Sequence, residues 1–127
     1  MEERRKLDRK YLGVYSRVFD RGTGMLLGYL ADLTRTGAMV ISDDPVPEHR
    51  MYGLRFELPD PKLFNSDHLD LDARVIWCKP DVDPAFNNIG FEFYTVSEQE
   101  SKTIMEMIKL YEFHRDQPDY PTPPSLL

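Results

Sequence analysis

The sequence predicts a mainly-β domain, an antiparallel barrel or sandwich, followed by one C-terminal α-helix. Six short stretches rich in β-branched and aromatic residues are separated by turn-forming residues, a pattern typical of small all-β domains. No interval between them has the pattern of a crossover helix, which argues against a parallel α/β sheet. After residue 97 the apolar spacing changes to the helical period. The 127 residues and 14.9 kDa suffice for one domain with a single core.

The composition is that of an ordinary globular protein, with 41% apolar and 30% charged residues. Cys78 is the single cysteine, so an internal disulfide is impossible and a reducing, cytoplasmic location is the simplest expectation. The apolar runs are far shorter than the ~20 residues that a membrane-spanning helix needs. The charged first residues also differ from a secretory signal peptide, whose central region is apolar.

Charge is distributed unevenly along the chain, whose net charge is −6. Residues 1–22 carry seven Lys or Arg and four Asp or Glu, whereas residues 23–127 carry nine and eighteen. The acidic total argues against general binding to DNA or RNA. Most of the basic excess lies in residues 4–10, so we expect residues 1–10 to form an exposed arm that offers a local site for an anion.

Three predicted strands follow this arm, over residues 11–19, 25–33 and 38–42. The first two are joined by a Gly-containing turn over residues 21–24, which favours a hairpin. The turn over residues 34–37 joins the next two, and Gly37 is expected to have a positive φ there. The loop over residues 43–47 contains two prolines, which cannot belong to a central strand.

The other three predicted strands alternate clearly between apolar and polar residues, over residues 51–58, 69–77 and 89–94. Apolar side chains at every second position of the fifth strand share one face, which we expect to be the inner one: Leu69, Leu71, Ala73 and Val75. Trp77 is interpreted as part of the core or of the barrel wall rather than as a stacking platform. Residues 79–88, rich in Pro, Asp and Asn, are predicted to be a loop.

The C-terminal part of the chain predicts an amphipathic helix over residues 98–114. Ser97 and Glu100 fit a capping box at its start. Apolar residues at helical spacing form a stripe that we expect to pack on the β-domain: Ile104, Met107, Ile108 and Tyr111. Residues 116–127 contain four prolines and are expected to form an extended tail.

Residues that could carry catalysis or bind a metal lack the spacing that such sites need. The three histidines lie far apart in the sequence, at His49, His68 and His114. Cys78 has no partner cysteine, so we predict no metal site. Asp70 and Asp72 share one face of the fifth strand, which acid–base catalysis could use, but a solvated outer face is the favoured interpretation. We therefore assign no catalytic residue and expect a protein that is not an enzyme.

Two motifs stand in order along the chain. Arg5 and Arg9 are separated by three residues, and after 22 more residues the chain reads Asp32-Leu33-Thr34-Arg35-Thr36-Gly37. Together they resemble the PilZ family of receptors for the bacterial second messenger cyclic di-GMP, whose pattern is Arg-x-x-x-Arg followed by Asp/Asn-x-Ser-x-x-Gly. Thr34 stands where the family has serine, and it keeps the hydroxyl group.

The resemblance extends to residues 73–77 and 89–93, which are similar to later strands of the family, and covers about residues 4–115. It implies a six-stranded antiparallel PilZ-like β-barrel with a C-terminal α-helix. The implied organisation is a basic ligand-binding arm, a barrel, an amphipathic helix and a Pro-rich tail, over residues 1–10, 11–96, 97–115 and 116–127 respectively.

The resemblance also implies cyclic di-GMP as the ligand and a set of residues that contact it: Arg4, Arg5, Arg9, Asp32, Thr34 and Gly37. Arginine suits this ligand because its planar fork pairs with phosphate or with guanine O6 and N7, and its plane stacks on a base. An ionised aspartate accepts N–H groups of guanine. In the family, an additional arginine before the first motif, here Arg4, often accompanies the binding of two intercalated ligand molecules.

The implied function is that of a receptor whose arm changes conformation when ligand binds. An unidentified effector protein would read this change, in the control of motility, exopolysaccharide production or biofilm formation. Two alternatives stay open at this point. One is a PilZ-like adaptor that binds no nucleotide and uses an acidic barrel face or the C-terminal helix. The other is a hydrolase that uses Asp70 and Asp72.

Overall fold

Six antiparallel strands and two helices form the computed structural model, which describes residues 16–58 and 61–111. Their bounds are β1 (Arg17–Asp20), β2 (Leu26–Leu33), β3 (Gly37–Ser42), β4 (Met51–Glu57), α1 (Pro61–Phe64), β5 (His68–Pro80), β6 (Asn87–Phe93) and α2 (Glu98–Tyr111). The strands are adjacent in the order β1, β2, β3, β6, β5, β4, and pairing of β1 with β4 closes the barrel. The predicted six-stranded antiparallel barrel with a C-terminal helix is confirmed.

Some of the predicted segments lie outside the described residues. These are the basic arm over residues 1–10, the beginning of the first predicted strand over residues 11–15, and the Pro-rich tail over residues 116–127. The end of the predicted C-terminal helix, beyond residue 111, also lies outside them.

The interior of the barrel is built from the alternating apolar positions of its strands. The predicted inner face of β5 is confirmed, since Leu69, Leu71, Ala73 and Val75 are all buried. Two edge-to-face aromatic pairs add specific contacts inside: Tyr52 with Phe91 and Phe56 with Phe93, with ring centroids 5.9 and 6.0 Å apart. The period-two pattern therefore determines which side chains fill the core.

A β-bulge in β2 turns the next residue to the outer wall. Leu30 pairs with Val40 and Asp32 pairs with Met39, which leaves Ala31 as the extra residue. Because side chains alternate along a strand, Asp32 would share the inner face with Leu30 if the bulge were absent. The bulge places Asp32 opposite Met39, on the outer side of the sheet.

Strand β5 contains a second bulge of the same kind. Val75 pairs with Phe91 and Trp77 pairs with Gly90, so Ile76 is the extra residue. Val75 points into the core, whereas Trp77 lies on the outer side with Gly90. This agrees with the interpretation of Trp77 as part of the barrel wall.

The predicted loop over residues 79–88 is shorter than expected, which corrects that prediction. The β5–β6 ladder continues through Lys79, paired with Asn88, and Pro80, paired with Asn87. Residues 81–86 form the connection, closed by a hydrogen bond from Asp81 N to Phe86 O of 2.9 Å. Ladder hydrogen bonds at the end of a long hairpin outweigh the turn-forming composition here.

The start of α2 is fixed by the predicted capping box. Glu100 N donates to Ser97 Oγ at 3.1 Å, and Ser97 N donates to Glu100 Oε1 at 2.9 Å. Ile104 and Met107 are fully buried in the same apolar cluster as the barrel interior, and Ile108 packs against it, so these three residues of the predicted stripe pack on the barrel. Neither described helix has the length and apolar character needed to cross a bilayer.

Ion pairs between strands cover the outer wall formed by β1, β4 and β5. Arg17 makes a two-point contact with Glu57, and Arg55 makes one with Asp70 at 2.8 and 2.9 Å. Arg21 pairs with Asp72. These hydrogen bonds favour the ionised carboxylates.

The ion pairs make the stability of the fold sensitive to acid. The hydrogen bonds from Arg55 lower the pKa of Asp70, and those from Arg17 lower the pKa of Glu57. A carboxylate with a lowered folded-state pKa stabilises the fold above its unfolded-state pKa and loses this effect as the pH falls through the folded-state value. We expect the free energy of unfolding to decrease as the pH falls below about 4.5.

Asp70→Asn is expected to be less stable than the unmodified protein at pH 7. Its stability should also decrease less steeply below about pH 4.5, because one of the two carboxylates with a lowered pKa is gone. Urea unfolding followed by the fluorescence of Trp77, at several pH values, measures both effects. Asp44→Asn, which removes the same charge from the β3–β4 loop, is the control. An Asp70→Asn curve parallel to that of the unmodified protein would contradict this role for the pair.

Candidate functional site

Asp32 lies on the outer wall where β2 approaches its end, but it is nearly inaccessible. Its side chain is 1% exposed, and Oδ1 accepts a hydrogen bond from Leu33 N at 2.9 Å. The bulge at Ala31 is the reason for its outward position. The carboxylate therefore lies on the outer wall but is buried in this conformation.

The turn between β2 and β3 is held together by the side chain of Thr34. Its Oγ1 accepts hydrogen bonds from Gly37 N at 3.1 Å and Thr36 N at 3.3 Å. Thr34 N also donates to Gly37 O at 2.9 Å. The Thr34 hydroxyl, which was predicted to contact a ligand, thus also stabilises the turn.

Gly37 has a different conformation from the one predicted. Of the described glycines, only Gly24 has a positive φ, of 76°. Gly37 instead begins β3 and pairs with Glu92. The expectation of a positive φ at Gly37 was wrong, because the hydrogen bonds of Thr34 close the turn without a left-handed residue at its end.

A row of four residues crosses the outer wall from Asp32. Asp32 on β2 pairs with Met39 on β3, Met39 pairs with Gly90 on β6, and Gly90 pairs with Trp77 on β5. Directly paired residues share one face of a sheet, so the two bulges bring Asp32 and Trp77 to the same outer row.

Gly90 leaves the room that the indole of Trp77 occupies. A Cβ atom on Gly90 would lie 2.2 Å from Cε2 and 2.4 Å from Nε1 of Trp77. The indole therefore lies against the backbone of β6, with the ammonium of Lys79 6.0 Å from the ring centroid. The Trp77 Nε1 atom is buried and has no hydrogen-bond partner among the described residues.

A second row lies beside the first and contains charged residues that sequence reasoning did not assign. Gly37 pairs with Glu92, and Glu92 pairs with Arg74. Arg74 Nη2 donates to Glu92 Oε1 at 3.0 Å. Arg74 occupies a polar position in the alternating sequence of β5, which indicates an outward side chain. Only the register of β3, β6 and β5 reveals that it lies in line with Gly37.

Arg4, Arg5 and Arg9, the predicted ligand-binding residues of the arm, lie outside the described residues. The point where their segment joins the barrel is described. Leu30 N donates to Ser16 O at 2.9 Å, which places residue 16 beside β2, two residues before Asp32. The segment that carries the first motif thus connects to the barrel next to the second motif.

Asp70 and Asp72, the candidates for acid–base catalysis, lie on a different part of the wall. Arg55 donates hydrogen bonds from Nε and Nη2 to Asp70, and Arg21 pairs with Asp72. The pKa of Asp70 is lowered by the hydrogen bonds from Arg55, the opposite of what a general acid requires. Among the described residues, no three metal-ligating side chains cluster as a metal site would need.

The model of the PilZ domain family matches residues 3–110 of the chain. No curated protein sequence matches this chain.

The solved structures that share the fold include the following three. One is the PilZ domain of YcgR from Escherichia coli with c-di-GMP, at 16% identity and a TM-score of 0.58, covering 77% of this chain and 81% of that one. The inhibitor of motility MotI/DgrA from Bacillus subtilis is 11% identical, with a TM-score of 0.63 and coverage of 80% and 48%. YcgR from E. coli in complex with c-di-GMP is 16% identical, with a TM-score of 0.59 and coverage of 77% and 41%. The match spans less than half of the latter two structures.

Proposed function

Because the chain belongs to the PilZ domain family, we propose that it is a non-enzymatic receptor for cyclic di-GMP that signals to a protein partner. The solved structures with a similar fold include a PilZ domain with c-di-GMP and an inhibitor of motility. We therefore propose that it acts in the control of motility, and the family resemblance adds exopolysaccharide production and biofilm formation as further processes.

The observation that carries this proposal is the hydrogen bond between Leu30 N and Ser16 O. It fixes the start of the described chain two residues from Asp32. The seven residues from Arg9 to Ser16 span at most about 25 Å when extended. Arg9 is thus within reach of the Asp32–Gly37 turn, and both motifs can contact the same ligand.

Each residue of the proposed site has a role that fits its chemistry. Arg4, Arg5 and Arg9 would bind phosphate oxygens and guanine edges, since a guanidinium pairs with both. Asp32 would accept N–H groups of a guanine. Thr34 and Gly37 would form the turn against which the ligand packs. An anionic ligand would then hold the basic arm against the barrel.

The burial of Asp32 supports a conformational change as the signal. At 1% exposure its carboxylate cannot meet a ligand until the covering groups move. We propose that cyclic di-GMP selects a conformation in which the arm packs on the outer row with the ligand between them. The partner protein would recognise the surface formed in this way.

Isothermal titration calorimetry with cyclic di-GMP tests the proposal, with cyclic di-AMP and GTP as controls. We expect saturable binding of cyclic di-GMP alone, and about two molecules per chain if Arg4 acts as the resemblance implies. A stoichiometry near one ligand molecule per chain would still support the receptor function but would reject the binding of two molecules. Trp77 is the only tryptophan, so its fluorescence gives a second readout from the outer row.

Two other outcomes would overturn the proposal. If neither heat nor NMR shifts appear at millimolar cyclic di-GMP, the protein is a PilZ adaptor that binds no nucleotide. If the ligand recovered after incubation is cleaved, the protein is an enzyme. Chromatography of the recovered nucleotide distinguishes this second outcome from simple binding.

A further inference from the structure

The Arg74–Glu92 pair differs from the two-point pairs of the barrel wall, Arg17–Glu57 and Arg55–Asp70. Arg17 and Arg55 each use both Nε and Nη2 on their carboxylate partners. Arg74 instead donates from Nη2 to Glu92 Oε1, and its Nε is buried without a hydrogen-bond partner within the described chain. A buried guanidinium donor without an acceptor is unfavourable. The exposed part of the same guanidinium carries further N–H groups that a ligand can reach.

The position of this pair connects it to the candidate site. Glu92 lies directly opposite Gly37, and Arg74 lies directly opposite Glu92. Neighbouring strands are about 4.8 Å apart, so the backbone of Arg74 lies roughly 10 Å from that of Gly37 on the same outer face. The side chains of Arg74 and Glu92 are 40% and 52% exposed, so a ligand beside Gly37 can reach both.

The chemistry of the pair favours a base over a phosphate. The carboxylate of Glu92 would repel a phosphate held next to Arg74. The edge of guanine offers acceptors at O6 and N7 beside donors at N1–H and N2–H, which matches an arginine donor next to a carboxylate acceptor. Adenine carries an amino group where guanine has O6, so it fits the pair less well.

We propose that Arg74 and Glu92 form a guanine-reading subsite, in which Arg74 donates to O6 and N7 and Glu92 accepts from N1–H and N2–H. This inference rests on the proposed binding of cyclic di-GMP and adds a specificity-determining pair to it. The subsite belongs to β5 and β6, outside both sequence motifs.

The first test compares Arg74→Ala with Arg17→Ala by calorimetry with cyclic di-GMP. Arg17 is the matched control because it also pairs with a glutamate across the wall, but both its Nε and its Nη2 donate to that glutamate. We expect about tenfold weaker binding or more for Arg74→Ala and unchanged binding for Arg17→Ala. Equal affinity of Arg74→Ala and the unmodified protein would overturn the subsite.

Arg74→Lys serves if the alanine variant does not fold. Lysine keeps the charge and the aliphatic stem but lacks the planar fork, so the same loss of affinity is expected. In the unmodified protein, the NMR signal of Arg74 Nε–H should shift on addition of cyclic di-GMP while that of Arg17 stays in place. An unmoved Arg74 signal at saturation would argue against the contact.

Salt dependence separates a base contact from a phosphate contact. Salt screens a charge contact with phosphate much more than a hydrogen bond to a neutral base. Loss of a phosphate contact therefore reduces the slope of log Kd against log salt concentration, whereas loss of a base contact leaves it nearly unchanged. We expect Arg74→Ala to keep the slope of the unmodified protein. A reduced slope would assign Arg74 to a phosphate and overturn the guanine assignment.

Glu92→Gln tests the acceptor half of the pair. The amide retains the shape but presents a donor to the N1–H and N2–H groups, so the preference for cyclic di-GMP over cyclic di-AMP should fall; Glu57→Gln is the control. An unchanged preference would remove Glu92 from the subsite. If the unmodified protein binds no cyclic di-GMP, the proposed function fails together with the subsite, whereas tight binding that no Arg74 or Glu92 variant alters rejects the subsite alone.

Discussion

Arg9→Ala is expected to weaken the binding of cyclic di-GMP by about 30-fold or more. Hydrogen bonds to charged groups each contribute roughly 1.5–3 kcal/mol, and about 2 kcal/mol corresponds to this ratio. The resemblance to PilZ receptors implies that Arg9 contacts the ligand, and the position of Ser16 beside Leu30 is close enough for the chain from Arg9 to Ser16 to reach Asp32. Calorimetry on the variant and the unmodified protein measures the ratio directly.

Lys6→Ala is the matched control for Arg9→Ala. Lys6 lies in the same arm and carries the same charge, but it is outside the Arg-x-x-x-Arg motif. We expect it to change the affinity by a few-fold at most, through general electrostatic attraction. If both variants lose affinity equally, the arm attracts the ligand only by its charge. If Arg9→Ala binds like the unmodified protein, the site assignment is wrong.

Gly28→Ala is expected to destabilise the fold by about 3 kcal/mol or more, near the upper end for overpacked positions. A Cβ atom at Gly28 would lie 2.3 Å from Ile41 O and 2.8 Å from Val40 Cγ1. Because the nearest atom belongs to the backbone of β3, a side-chain rotation cannot relieve the contact. Strands β2 and β3 would have to separate at the open end of their hairpin, away from the Asp32–Gly37 turn.

Urea unfolding of Gly28→Ala measures this loss, with Gly24→Asn as the control. No atom lies within 4 Å of the Cβ position of Gly24, and asparagine tolerates its positive φ better than other residues. The control should lose less than about 1 kcal/mol. If the urea concentration at half-unfolding were as high for Gly28→Ala as for the control, the β3 backbone would be able to shift with little loss of stability.

The sequence predicts most of the fold because burial and alternation coincide along its strands. In β5, every second residue from Leu69 to Val75 is apolar, and the inner face follows directly. The capping residues Ser97 and Glu100 likewise identify the start of α2. The extension of β5 and β6 through Lys79 and Asn88 could not be predicted, since it depends on pairing across the hairpin.

The candidate site could be predicted only in part, for a physical reason. Asp32, Thr34 and Gly37 belong to a continuous motif, whereas the neighbours of that motif on the wall come from other strands. Their positions depend on the two bulges and on the register of β3, β5 and β6, which no local pattern encodes. Arg74 and Glu92 are 18 residues apart and meet only in the folded barrel.

The closure of the barrel limits how a partner can recognise this protein. A strand at the edge of an open sheet offers unpaired N–H and C=O groups, to which another chain can add a strand. Among the described strands, pairing of β1 with β4 leaves no such edge. A partner that contacts the described part of the chain would therefore recognise side chains on the barrel wall, on α2 or in the connecting loops. The same closure protects the β-rich chain from edge-to-edge aggregation.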